Sequence, residues 1–290
     1  MRLLIVGCGY VGLEVAKLLR HNILNASVVA LTRSEQRSGE LRGLGIEPFV
    51  GDWLDPASLQ GLESSRCDHV LVAVPHRPVA ELAVQTHVLG LENLVARLKN
   101  SIEHWIYLST TGVYGDCDNE VVDETTEVSP TRIGPEIAVA AEQWLLQQQQ
   151  DSGLNATTLR LAGIYGPGRV PLAAKLQAGE PLAVPREGHL NLVHVTDIAR
   201  MIIQILPQRM QHPLYLLSDG QPVLRETFYR ELAQMCGVDN PTFVDPDPGD
   251  AKARRATDKQ VNPLRLVTET GFVYQFPNYQ VGLAAALQPG

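Results

Sequence analysis

The chain has 290 residues, with 44% hydrophobic and 19% charged residues, an ordinary globular composition that argues against disorder and supplies a large core. A formal net charge of −8 leaves no basic footprint for a phosphate backbone, so neither a nucleic acid nor, without an apolar run near ~20 residues, a membrane is expected as a partner. Cys8, Cys67, Cys117 and Cys236 form no C-x-x-C pair, which disfavours a disulfide framework or metal site and fits a reducing cytoplasm.

The first predicted elements are a strand over Leu3–Val6, too short for a signal-peptide core, and a helix from Val11 to Arg20. Between them stand Gly7, Gly9 and Gly12 in the spacing G-x-G-x-x-G. A tight turn needs the first glycine, close approach of a pyrophosphate needs the second, and close helix-to-strand packing needs the third. With Tyr10 and Val11 at the helix N-terminus, the stretch reads as a dinucleotide-binding turn whose free N–H groups face the phosphates.

A second strand, Ser27–Leu31, leads into Thr32-Arg33-Ser34. An NAD site places a carboxylate here to accept from the ribose 2′-OH, whereas a 2′-phosphate wants a cation. Thr32 and Arg33, with Arg37 helping, supply the second chemistry, so NADP is the expected cofactor, with NAD as the alternative. Ile46–Val50 is a third strand ending at Gly51-Asp52, with Asp52 placed to accept from the adenine amino group or to cap a turn, and Pro56–Leu62 reads as a short helix.

Asp68–Pro75 is a fourth strand carrying Ala73 and Val74, Val79–Lys99 a long helix, Trp105–Ser109 a fifth strand, Ile137–Gln150 a helix and Ala156–Leu161 a sixth strand. Strands alternating with helices predict a doubly wound parallel sheet. From Gly163 onward Gly and Pro become frequent and the elements short: a strand near Leu190–Val195, a helix N-capped by Asp197 and running to Leu206, a strand Tyr215–Ser218, a helix Leu224–Met235 stopped by Gly237, and a loop Pro241–Asp250. The expected division is a dinucleotide-binding core over 1–162 and a small substrate lobe over 163–290, with about 190–206 returning to the core and a cleft between the two.

Several stretches together resemble the extended short-chain dehydrogenases/reductases, the NAD-dependent epimerase/dehydratase family. They are the glycine turn, Gly51-Asp52, Ser109-Thr110-Thr111-Gly112-Val113-Tyr114-Gly115, Leu159-Arg160 before Ile164-Tyr165-Gly166-Pro167-Gly168, and Val193-His194-Val195-Thr196-Asp197. The glycine spacing departs from the family's usual G-x-x-G-x-x-G, Val6 standing where the longer spacing has glycine. The resemblance implies a Rossmann-type fold, cofactor contacts extending to Ser109, and Thr110 as the Ser/Thr that fixes the substrate oxygen.

The family's proton-transfer pair is a Tyr and a Lys four residues later. Counting back from Ala141-Glu142 puts Gly134 and Ala138 at those positions, and residues 131–150 contain neither Tyr nor Lys. Tyr114 is the first substitute to weigh as acid/base; Tyr165 and His76 are others, and the pair His194 and Asp197 reads as structural. His87 replaces the family's usual Asn in the long helix. In the C-terminal lobe Asp247, ahead of Pro248-Gly249-Asp250, replaces an Arg that faces diphosphates in the family, and Arg254, Arg255 and Lys259 read either as compensating cations or as a solvated basic loop. The acidic run Asp116–Glu127 lacks EF-hand spacing and reads as surface loop.

Two functions follow as expectations. One is an NADP-binding, epimerase/dehydratase-like oxidoreductase for a small polar or sugar-like substrate, with Thr110 and Tyr114 at the reacting group. The other is a non-catalytic NADP(H) sensor or scaffold. The resemblance also implies a homodimer built through Val79–Lys99 and Ile137–Gln150.

Overall fold

The computed structural model describes residues 1–244 and 257–288. Seven strands form the main sheet: β1 (Arg2–Val6), β2 (Ser27–Thr32), β3 (Glu47–Val50), β4 (His69–Val72), β5 (His104–Thr110), β6 (Ala156–Leu161) and β7 (Leu214–Leu217). Their order is β7-β6-β5-β4-β1-β2-β3, and β1 pairs in parallel with both β2 and β4. The chain moves outward from β1 to β3 and returns to the other side of β1 for β4. Ligands bind such sheets at the carboxyl end where this reversal occurs. The fold is the Rossmann-type α/β sheet that the sequence pattern predicts.

The central strands lie under helices on both faces, so their apolar runs are continuous rather than alternating. Leu3, Leu4 and Ile5 of β1 and Val70 and Leu71 of β4 are fully buried. Helix α1 (Tyr10–Asn22) buries Val11, Val15, Ala16 and Leu19, and carries Arg20 in its last turn, where a cation favours the negative dipole end. The polar helix α2 (Glu35–Gly43), absent from the sequence expectation, is N-capped by the Ser34 side chain, which accepts from the Arg37 amide.

Two predicted helices change form. Pro56–Leu62 is a run of turns, because the Asp55 carboxylate accepts from the Ala57 amide and the Ser58 hydroxyl bonds to the Asp52 and Asp55 carbonyls. Local side-chain bonds there compete with the helical ladder. The long helix of 79–99 breaks at Ala83 (φ 42°) into a 3-10 segment, Ala80–Gln85, and α3 (Thr86–Leu98). The Thr86 hydroxyl ties the break, donating to the Ala83 carbonyl and accepting from the Val79 amide. Helix α4 (Ile133–Ser152) is longer than predicted and stops at Gly153, which takes up left-handed φ.

Two compact units emerge. The first comprises Met1–Val113, Pro130–Arg160 and Ile198–Tyr215; the second comprises Tyr114–Ser129, Leu161–Asp197 and Leu216–Gly290. Among the described residues the remaining α-helices are α5 (Ala173–Gln177), α6 (Val195–Ile205), α7 (Arg225–Cys236), α8 (Leu264–Thr270) and α9 (Tyr279–Ala286). Within the second unit, Tyr165, Leu176, Leu182, Phe228, Leu232 and Leu283 belong to one apolar core. Asp197 is inside the first turn of α6 rather than before it. Its carboxylate accepts from the amides of Gln275 and Phe276, so it anchors that loop. Asp247, Pro248, Gly249, Asp250, Arg254 and Arg255 lie outside the described residues.

Candidate functional site: the glycine turn and the ends of the central strands

The turn after β1 gives each glycine a different physical reason. Gly7 has φ +91°, and a Cβ on it would stand 2.7 Å from the carbonyl carbon and oxygen of Ala73 and 2.8 Å from the amide of Val74. A Cβ on Gly12 would stand 2.9 Å from the Gly7 carbonyl oxygen and 3.0 Å from Ile5 Cγ2. Around Gly9, in contrast, nothing lies within 4 Å of a Cβ position. The first and third glycines are required by the protein's own packing, while the second keeps open space at the start of α1.

That helix start suits an anion. α1 has no side-chain cap and no acidic residue in its first turn, so its own first turn sets no negative charge against the positive end of the helix dipole. The Gly9 amide donates to Gly7 and its carbonyl accepts from Leu13, each at 2.8 Å, which holds the turn. Tyr10 is half-buried and Val11 packs inward. Burial pushes the Cys8 thiol up to about 11, against the pull of the Arg37 charge.

At the end of β2, Thr32 is half-buried and Arg33 exposed. Arg37 reaches back to the glycine turn, its Nη2 donating to the Cys8 carbonyl at 3.1 Å. The turn is therefore flanked by a guanidinium, and positions 32–34 supply no carboxylate. Asp52, beyond β3, is half-buried and accepts from the Leu54 amide at 3.0 Å, a turn-capping bond.

The end of β5 is a polar knot. Buried Ser109 donates to Glu142, and Glu142 accepts from Arg160 Nη2 at 2.6 Å and Nε at 3.0 Å. Thr110 is half-buried and its Oγ1 accepts from the Gly112 amide at 3.0 Å. Tyr114 is buried, and its hydroxyl donates to the Asp123 carbonyl at 2.6 Å, the setting of a packing residue. Tyr165 is also buried, its hydroxyl facing the Asn278 carbonyl. Among the described residues no three His, Cys, Asp or Glu side chains converge on a metal position, and no helix is long and apolar enough to cross a membrane.

The model of the NAD dependent epimerase/dehydratase family matches residues 3–215. The chain belongs to this family. It is 28% identical to Protein YeeZ of Escherichia coli K12 over 284 residues, covering 94% of this chain and 96% of that protein. Among solved structures it resembles a functionally unknown conserved protein from Silicibacter pomeroyi, with a TM-score of 0.79 and 29% identity over 98% of this chain and 97% of the other. UDP-glucose 4-epimerase from Thermotoga maritima, solved with UDP-glucose, shares the fold with a TM-score of 0.83 at 19% identity over 99% and 97% of the two chains.

The first turns of α4 carry neither Tyr nor Lys. The two positions reached by counting back from Ala141-Glu142 carry Gly134 and Ala138, and a Cβ on Gly134 would meet His76, 3.0 Å from its carbonyl oxygen and 3.8 Å from its Cβ. His76 follows β4 and stacks on His87 of α3, with ring centroids 4.7 Å apart. Between them lies the hydroxyl of Tyr107 of β5, 3.0 Å from His76 Nε2 and 2.9 Å from His87 Nδ1. Burial lowers His76 to about 3 and His87 to about 4, and lifts Tyr107 well above the usual phenol range. The three residues are separated by 31 and 20 positions in sequence, so no local motif announces them together; the signals are His76 as a candidate acid/base after the fourth strand and the histidine replacing Asn at position 87.

Proposed function

We propose that this chain binds NADP(H) at the glycine turn and is an epimerase/dehydratase-like oxidoreductase for a small polar or sugar-like substrate. The observation that carries the reading is the open space at Gly9, framed by two glycines that packing demands and lying at the N-terminus of an uncapped helix. In this assignment Gly7, Gly9, Tyr10, Val11 and Gly12 form the pyrophosphate cradle. Thr32 and Arg33, with Arg37, receive the 2′-phosphate, and Asp52 faces the adenine. Ala73, Val74 and the backbone at Ser109 border the nicotinamide half.

The bound dinucleotide supplies the hydride acceptor or donor. Thr110 is assigned to the substrate oxygen, because the residue is half-buried and its hydroxyl oxygen is fixed by the Gly112 amide. Tyr114 is assigned to packing, since its hydroxyl is already given to Asp123. Calorimetric titration with NADPH and NADH tests the binding half, and turnover of either cofactor on a panel of sugars, aldehydes and ketones tests the chemical half.

The second reading is a non-catalytic NADP(H) sensor or scaffold, and Gly134 with Ala138 is the observation that favours it, since neither moves a proton. Binding without oxidation or reduction across the panel would select it. A cytoplasmic setting fits four cysteines that are all free. A homodimer through α3 and α4, read from the family, is tested by sedimentation.

A further inference from the structure

The hydrogen-bond chain at His76 has a direction that elementary chemistry fixes. A carbonyl oxygen only accepts, so His87 Nε2, 3.3 Å from the Pro75 carbonyl, carries its ring proton and donates. The neutral His87 ring then has a bare Nδ1, which accepts the Tyr107 hydroxyl proton at 2.9 Å. Having given its only proton to His87, the Tyr107 oxygen is the acceptor for His76 Nε2–H at 3.0 Å. His76 is thereby left with a lone pair on Nδ1. Among the described residues no group bonds to that nitrogen, and the residue is half-buried.

Position and chemistry agree. The main chain of His76 lies against Gly134, its carbonyl oxygen 3.0 Å and its Cβ 3.8 Å from where a Cβ on Gly134 would stand, which brings His76 next to the position that the family gives to its tyrosine. Two residues before it, Val74 lines the glycine turn together with Ala73. All of these residues belong to the first compact unit.

We propose that His76 replaces the missing tyrosine, its Nδ1 accepting the hydroxyl proton of an alcohol substrate, with Tyr107 and His87 as the relay that fixes its tautomer and receives the proton. The proposal rests on the dinucleotide reading of the same site. In the oxidative direction the alcohol O–H bond breaks and an N–H bond forms at His76 Nδ1. The hydride of the carbinol C–H passes to the oxidised nicotinamide ring, and a carbonyl group forms. His76 hands its Nε2 proton to the Tyr107 oxygen as Tyr107 hands its own to His87 Nδ1. The positive charge ends on His87, whose Nε2–H stays on the Pro75 carbonyl, and reduction runs the same transfers backwards.

The titratable groups facing His76 are His87 from α3 and Tyr107 from β5, and Glu142 of α4 acts on Tyr107. At rest, before a proton is taken up, burial keeps both imidazoles uncharged at neutral pH, which preserves the lone pair. An isolated histidine would lose it through protonation near pH ~6.5.

Nitrogen-15 NMR of the full-length protein reads the tautomer directly. The expected spectrum shows His76 as a single Nε2–H tautomer from pH 8 down to 5, and Tyr107→Phe converts it to a mixture. A His76 protonated on Nδ1, or a tautomer unmoved by Tyr107→Phe, overturns the relay. Diethyl pyrocarbonate labelling mapped by mass spectrometry reads the location: His76 reacts, fully buried His87 does not, and saturating NADP⁺ slows the His76 reaction at least fivefold. Calorimetry on the same sample separates the failures. If NADP⁺ binds without protecting His76, this proposal falls alone; if NADP⁺ does not bind, the dinucleotide reading falls and takes the proposal with it.

Discussion

Gly7 and Ala73 meet backbone to backbone, so closely that a Cβ on Gly7 would stand 2.7 Å from both the carbonyl carbon and oxygen of Ala73. The contact joins the end of β1 to the end of β4 at the place where the strand order reverses. It sets the floor of the turn and leaves Gly9 facing open space. Stability and ligand binding are therefore assigned to different glycines of one motif.

Gly7→Ala combines backbone strain at φ +91° with a collision against main chain that cannot swing aside. Each effect costs about 1–3 kcal/mol, so urea unfolding should show a large loss of stability. Gly9→Ala should unfold within about 0.5 kcal/mol of the unaltered protein, yet bind NADPH at least tenfold more weakly. Loss of stability in both variants, or loss of binding in neither, would contradict the division.

The Glu142–Arg160 pair is nearly buried, with the two side chains 10% and 6% exposed. Glu142→Ala takes the carboxylate from a nearly buried guanidinium and removes the acceptor of Ser109, and such truncations cost about 3–5 kcal/mol. Ser109→Ala leaves the ion pair intact and should cost only about 1 kcal/mol. Equal losses in chemical denaturation would show that the hydroxyl, rather than the ion pair, organises the end of β5.

Much of the sheet is legible in the sequence, because strands buried on both faces must be continuous apolar runs such as Val70-Leu71-Val72. The glycine turn is legible because its spacing has a steric cause. α2 escapes because its polar residues give no apolar stripe. The segment 56–62 misleads because Asp55 and Ser58 offer the backbone better partners than a helix does. The surroundings of His76 are illegible for another reason: β4, α3 and β5 each deliver one ring, and only the packed sheet brings the rings together.

Asp219 gives a pH signature. Burial, aided by the nearby Asp197 charge, raises its carboxyl to about 7, while in the unfolded chain it titrates near ~3.9. Between these values the native state holds a proton that the unfolded state has released, so stability falls as pH rises through the window and levels off above it. Asp219→Asn should be a few kcal/mol more stable than the unaltered protein at pH 8 and show no gain at pH 4. Parallel stability curves for the two proteins would contradict the assignment.

Arg33 is exposed at the end of β2, where no carboxylate stands. Arg33→Ala should weaken NADPH about tenfold, ~1.4 kcal/mol, and leave NADH almost unchanged. Equal weakening of both would remove Arg33 from the 2′-phosphate.

The most direct measurement is calorimetric titration of the full chain with NADPH and with NADH under identical conditions. The account predicts one NADPH bound per chain with a micromolar dissociation constant, and weaker binding of NADH. Absence of binding by either dinucleotide would contradict it at its base.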